Sequence, residues 1–177
     1  MFHALKNLWE KNKKIKLNLA QFKTQFFADE SHQWINGDIY LKRAFQQLLD
    51  NFPSILLSHS HHHEKIVFVK ASGRLACTVY STDNLHAIII FPDLEKLLKS
   101  GSPNHGLAIL AHELGHIVLK HSQQKITTLR AQFEADDFAY QMGFGEELLD
   151  VMMDHPDNLE VQFRIVHLQK LIEQEAK

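Results

Sequence analysis

The chain has 177 residues, of which 45% are apolar and 23% charged, a composition typical of one soluble globular domain. Its 19 Lys and Arg residues against 21 Asp and Glu leave a formal charge of −2, so we expect no nucleic acid partner. The single cysteine excludes an internal disulfide, no signal peptide is apparent at the start, and the apolar runs fall far short of the ~20 residues that span a bilayer. We therefore expect a cytoplasmic protein without a transmembrane segment.

Residues 1–36 are predicted to form an N-terminal amphipathic docking segment, ahead of one domain at residues 37–177. Apolar side chains such as Phe2, Leu5 and Trp9 recur every three to four residues beside a lysine-rich stretch, which predicts an amphipathic helix. We expect this basic helix to pack on its own domain. Peripheral contact with a membrane surface or with a partner protein is the alternative.

The middle of the chain changes from helix to strand. Asp38 is a suitable N-cap for a helix over residues 39–50, and a His-rich tract at 58–63 is expected to be a solvated loop. Three short runs rich in β-branched or alternating apolar residues then predict strands, with turn residues between them. These runs span residues 66–69, 75–80 and 85–91. An antiparallel meander is the simplest interpretation.

The rest of the chain is predicted to be helical. Glycine and proline separate apolar-periodic stretches that are long enough for helices. These stretches span residues 93–99, 104–121, 127–142, 146–153 and 159–175. The sequence thus predicts one α+β domain in which a small antiparallel sheet packs with helices.

The pentapeptide HELGH at residues 112–116 is the central chemical motif, and its apolar surroundings predict a buried central helix. His112 and His116 are four residues apart, so both imidazoles lie on one helix face and can bind one Zn²⁺ per chain. Glu113 is offset around the helix and is the candidate general base for a zinc-activated water. A catalytic zinc needs a third protein ligand besides these histidines.

The next helix offers that ligand in the segment QFEADDFA at residues 132–139. Together with HELGH, this segment resembles the gluzincin metallopeptidases, and most closely the M48-like family of HtpX and the CAAX prenyl proteases. The resemblance covers roughly residues 70–176 and implies a zincin-like metallopeptidase domain. The ImmA/IrrE type of metallopeptidase, which also carries HELGH and a similar helix, is the near alternative.

The resemblance also implies roles for individual residues. The family's third ligand is usually a Glu four residues before an Asp, and that position here is Gln132. Either Glu134 supplies the carboxylate, or Gln132 lies at the metal and the enzyme is impaired. We predict Glu134, because Zn²⁺ with two neutral imidazoles favours an anionic oxygen. Asp136 resembles the family's supporting aspartate, which would bond the far nitrogen of a ligating histidine.

Two further histidines and one strand complete the expected site. His121 lies five residues past His116 and can reach the metal only if the helix ends or bends there. His155 precedes a proline and resembles a family histidine that can approach the metal, although a turn residue is the simpler interpretation. The strand at 85–91 is expected to border the cleft and to pair with an extended substrate.

Two functions of different classes follow from this sequence. The first is a soluble zinc-dependent endopeptidase that acts on a peptide or protein substrate. The alternative is a catalytically impaired binding or regulatory module that keeps the peptidase fold, and the neutral Gln132 is the feature that favours it. The sequence names neither the substrate nor its cleavage site.

Overall fold

The computed structural model describes residues 19–53, 55–57, 65–71, 76–80, 85–156 and 158–175. The predicted docking helix around Phe2 and Trp9 and the His-rich tract at 58–63 lie outside these residues. Within the described part of the chain, no helix combines the length and the apolar character needed to cross a bilayer.

Helices come first in the described chain: α1, a 3-10 turn, α2 and α3 span Leu19–Ala28, Glu30–His32, Gln33–Asn36 and Ile39–Asp50. The carboxylate of Asp38 accepts hydrogen bonds from the backbone N–H groups of Tyr40 and Leu41, which confirms it as the N-cap of α3. Phe26 of α1 and Ile35 of α2 are buried in the same core as α3. The division of the chain at residue 36 stays a prediction.

Among the described residues the sheet has three strands, β1, β2 and β3, at Lys65–Lys70, Ala76–Tyr80 and Leu85–Ile90. Their order is β1-β3-β2, with β1 parallel and β2 antiparallel to β3. The predicted antiparallel meander is therefore wrong in both order and direction. Ile88 and Ile90 of β3 are fully buried, and the central position suits this apolar strand because it is paired along both edges.

In the described part of the chain, five α-helices follow the sheet, and each starts within one residue of its predicted start. They are α4, α5, α6, α7 and α8, at Pro92–Leu98, Asn104–Val118, Thr128–Ala139, Gly145–Met153 and Leu159–Glu175. Helix α5 ends three residues before the predicted end, and Lys120 takes the left-handed conformation at φ 54°. A π-helical turn, Tyr140–Phe144, links α6 to α7 and contains Gly143 at φ 85°. The mixture of mostly helices with one small sheet confirms the α+β class.

Helix α5 is the centre of the domain and packs against α6, α7 and β2. It carries the HELGH motif and is buried around most of its circumference, as the sequence predicts. Gly115 lets α6 come close: a Cβ atom at this position would lie 3.0 Å from both Ala135 Cα and Phe138 Cβ. This close approach brings the side chains of α6 to the histidines of α5.

Candidate metal centre

The two motif histidines converge as their spacing predicts. His112 and His116 project from one face of α5, and their Nε2 atoms lie 3.1 Å apart. Two nitrogens that each bind one zinc ion at ~2.1 Å would be separated by a similar distance. The pair therefore presents two donor atoms to one point beside the helix.

The other ring nitrogen of His112 is held by a carboxylate and an arginine. His112 Nδ1 lies 2.8 Å from Asp136 Oδ1, and Arg164 donates to both oxygens of Asp136, from Nη2 at 2.7 Å and from Nε at 2.8 Å. Asp136 is fully buried. With this acceptor in place the proton of His112 sits on Nδ1, which leaves the Nε2 lone pair free for a metal.

His116 is held by a longer chain of side chains. Its Nδ1 lies 2.7 Å from His121 Nδ1, and His121 Nε2 lies 3.3 Å from Glu134 Oε2. Arg130 Nε then donates to Glu134 Oε1 at 2.9 Å. If His116 donates from Nδ1 to His121 and His121 donates from Nε2 to Glu134, every group has one consistent role and His116 Nε2 is again left free.

Burial favours the neutral form, which is the one that binds metals, of the imidazoles of His116 and His121. Burial, together with the neighbouring imidazoles of His112 and His121, lowers the pKa of His116 to about 3. Burial likewise lowers the pKa of His121. Burial alone would raise the pKa of Asp136, but its bonds with His112 and Arg164 outweigh that effect and hold it below the usual value. The Asp136 carboxylate is therefore ionised, and the rings of His116 and His121 are neutral, at neutral pH.

Glu113 is fixed by a residue of the sheet. Thr78, in β2, donates its hydroxyl to Glu113 Oε2 at 2.6 Å. The same hydroxyl lies 3.4 Å from the backbone carbonyl oxygen of Glu113. The edge strand thus positions the candidate general base as well as bordering its helix.

A cavity of about 280 Å³ opens beside these groups. His112, Glu113, Gln132, His155 and Arg164 supply its polar wall. Apolar side chains from α5, α7 and α8 complete it, among them Ile109, Leu148, Met152 and Val161. The Gln132 Oε1 atom is buried and has no hydrogen-bond partner among the described residues.

The structure brings together some of the predicted site residues and separates others. His112 and His116 converge, Glu113 lines one cavity with His112, and Asp136 bonds the far nitrogen of His112 as the resemblance implies. Glu134 instead contacts His121 and Arg130. In the described part of the chain, no three His, Cys, Asp or Glu side chains are grouped to hold a metal ion. The third ligand therefore stays a prediction.

Other residues gain a role that the sequence did not indicate. Thr78 and Arg164 contact Glu113 and Asp136 across 35 and 28 residues of chain, and no local pattern marks either contact. Arg130 and Glu134 are four residues apart in a predicted helix, a spacing that favours an ion pair, and the structure shows that pair.

The strand expected to receive substrate must be corrected. Residues 85–91 contain β3, whose backbone is paired with β1 on one side and β2 on the other, so β3 has no free edge. Among the described strands, β2 is the edge strand that packs against α5. An extended peptide that pairs with this sheet beside the motif would have to pair with β2.

Comparison with known proteins gives one match. The model of a family described as "Peptidase family M48" matches residues 58–172, which is more than half of the chain. The matched range includes His112, His116 and all the side chains that hold their Nδ1 atoms. Comparison with curated proteins and with solved structures finds no match.

Proposed function

This chain belongs to peptidase family M48, and from that premise we propose that it is a zinc-dependent endopeptidase with Glu113 as its general base. Family membership supports a metallopeptidase. The choice of zinc, the mechanism and the residue roles are our proposal. The observation that carries it is the pair of Nε2 atoms 3.1 Å apart, with the carboxylate of Glu113 on the same cavity wall as His112.

The side chains present suit a zinc ion. Two imidazoles offer nitrogen donors, both far nitrogens are held, and Gln132 Oε1 is a buried oxygen that no described residue bonds. His112 and His116 would hold the ion, and α6 would supply the third ligand, for which the sequence offers Glu134 and Gln132. A zinc ion there would lower the pKa of water and polarise the scissile carbonyl.

The chain itself positions the proton acceptor and the substrate. Thr78 holds Glu113 Oε2, and we assign Oε1 as the atom that takes the proton from the attacking water. The edge of β2 that no described strand pairs with would bind the peptide backbone as an added strand, which reads backbone more than side chains. An apolar side chain next to the scissile bond would enter the cavity beside Ile109 and Leu148.

A glutamine substitution at Glu113 tests this proposal. Purified, zinc-loaded protein is incubated with casein as an unstructured probe, and new N-termini are counted over time. Glu113→Gln keeps the shape and the Thr78 hydrogen bond but cannot take a proton, so we expect cleavage to fall by roughly 10²–10⁴-fold. Glu146→Gln, the same change at an exposed residue of α7, should cleave like the wild type.

Two results would contradict the proposal in different ways. Undiminished cleavage by Glu113→Gln would remove Glu113 as the general base. No cleavage by the zinc-saturated wild type, of casein or of a random peptide mixture, would favour the alternative of a binding module that keeps the peptidase fold.

A further inference from the structure

We infer that Gln132, and not Glu134, faces the metal in this chain, so that the protein ligands are two imidazoles and one neutral amide oxygen. The inference rests on the proposed function, since it concerns the same site. It changes what the site does: a ligand set without a negative charge holds a dication weakly, and occupancy then follows the free zinc concentration.

The first argument is the state of the Gln132 side chain. Its Oε1 atom is buried and has no hydrogen-bond partner in the described structure. Burying an unpaired amide oxygen is destabilising, so a protein rarely retains one without a ligand to satisfy it. Gln132 also lines the cavity together with His112 and Glu113.

The second argument is the helical phase of α6. Residues four apart lie on one face, so Gln132 stands one turn before Asp136, which bonds His112 Nδ1 at 2.8 Å. That face of α6 is therefore the one that meets His112. Glu134 lies midway between them in sequence and points in a different direction around the helix.

The third argument is that Glu134 already has a complete set of partners. Its Oε1 accepts from Arg130 and its Oε2 lies 3.3 Å from His121 Nε2. Through His121 it acts on the far nitrogen of His116, on the opposite side of the ring from Nε2. The structure assigns Glu134 a positioning role, which matches that of Asp136 toward His112.

Zinc affinity distinguishes the two assignments. Apo protein is titrated with zinc against a chromophoric chelator. Gln132→Glu places a charged donor at the assigned position, so its zinc dissociation constant should fall by roughly tenfold or more. Glu134→Gln keeps an acceptor for His121 and should weaken binding less than Gln132→Ala does. Gln46→Glu, the same charge change at an exposed position of α3, should leave the affinity unchanged.

The visible spectrum of bound cobalt(II) distinguishes a change of ligand from a change in the nearby charge. With Co²⁺ in place of zinc, the visible absorption reports the donor set directly. Gln132→Glu should change the position and intensity of the bands. Glu134→Gln should leave them as in the wild type, because Glu134 does not touch the metal.

The remaining outcomes all decide the question. Loss of metal in Glu134→Gln together with unchanged affinity and spectrum in Gln132→Glu would overturn the inference in favour of Glu134. A wild type that binds zinc only weakly while Gln132→Glu binds it tightly would support it. If neither protein bound zinc or cobalt, the inference and the metal dependence of the proposed function would both fail, whereas failure of casein cleavage alone would leave the metal result standing.

Discussion

His32 and the motif pair His112 and His116, all buried or half-buried, differ in what their ring nitrogens meet. His32 packs its ring against Phe26 at 4.0 Å; its Nδ1 lies 3.0 Å from the Phe26 carbonyl oxygen, and its Nε2 accepts the Phe68 backbone N–H at 3.2 Å. Both nitrogens are thus satisfied by backbone groups. His112 and His116 instead satisfy only Nδ1 and turn their Nε2 atoms toward each other.

The difference separates a structural histidine from a ligand. Burial is common to both groups and lowers the pKa of His32 and of His116 alike. What differs is the lone pair on Nε2. In His32 it accepts the Phe68 N–H, whereas in the motif pair the two Nε2 lone pairs meet at one point and are available to a metal. Burial of a histidine is therefore a weak guide to function, and the partner of each ring nitrogen is a strong one.

Substituting one histidine from each group should produce opposite results for zinc binding and stability, and this is the largest effect we expect. His116→Ala removes one of the two convergent donors, so the zinc bound at a zinc concentration that saturates the wild type should fall to background. His32→Gln should keep its zinc but lose about 1–3 kcal/mol of unfolding free energy, because the stacking and the two backbone bonds are disturbed. Metal analysis and urea unfolding of the apo proteins measure the two quantities. Zinc loss in His32→Gln, with the fold intact, would break the comparison.

The carboxylates behind the histidines give a smaller, matched test. Asp136→Asn leaves an acceptor for His112 Nδ1 but removes the charge, so zinc affinity should fall by roughly 10–100-fold. The neighbouring Asp137 is also buried, and its Oδ1 lies 2.6 Å from His167 Nε2, which belongs to no metal-binding pair. Asp137→Asn should therefore cost stability while the zinc affinity stays that of the wild type. Equal losses of affinity in both variants would show that Asp136 acts only through packing.

Local patterns in the sequence predicted the elements well and their pairing poorly. The cap at Asp38 and the periodicity of 39–50 and 159–175 predict α3 and α8 with the ends that the structure shows. The strands were located nearly as well. Their order was wrong because alternation shows which face of a strand is buried but not which neighbour it bonds, so the central place of β3 between β1 and β2 was not visible.

The same limit applies to the candidate site. The spacing of His112 and His116 is a property of one helix, and the structure brings them together as that spacing predicts. The contacts that orient the site join separate elements: Thr78 to Glu113, and Arg164 to Asp136. Such contacts depend on how helices and strands pack, and a single sequence carries no local record of them.

The smallest effect we expect is a pH dependence of stability that belongs to His32. Burial lowers the pKa of His32, against the opposing influence of the Phe26 carbonyl and Asp29, while Lys65 lowers it further. Below the pKa of about 6.5 that His32 has in the unfolded chain, the unfolded chain binds the proton and the folded chain does not. The free energy of unfolding therefore decreases as the pH is lowered, by up to about 1.4 kcal/mol per pH unit. This stabilisation is complete above that value and is lost as the pH falls toward the folded pKa.

His116 and His121 also have lowered pKa values, so the wild type alone cannot isolate this contribution. We therefore compare wild type with His32→Gln by urea unfolding from about pH 7.5 to about pH 4.5, with a chelator present so that metal release does not contribute. The stability advantage of the wild type should be constant above about pH 6.5 and shrink below it, because only the wild type carries the imidazole that must stay neutral in the core. A stability advantage that is independent of pH would mean that His32 binds its proton equally well in the folded and unfolded states. Burial would then not lower the pKa of His32, and the comparison with the motif pair would rest on hydrogen-bond partners alone.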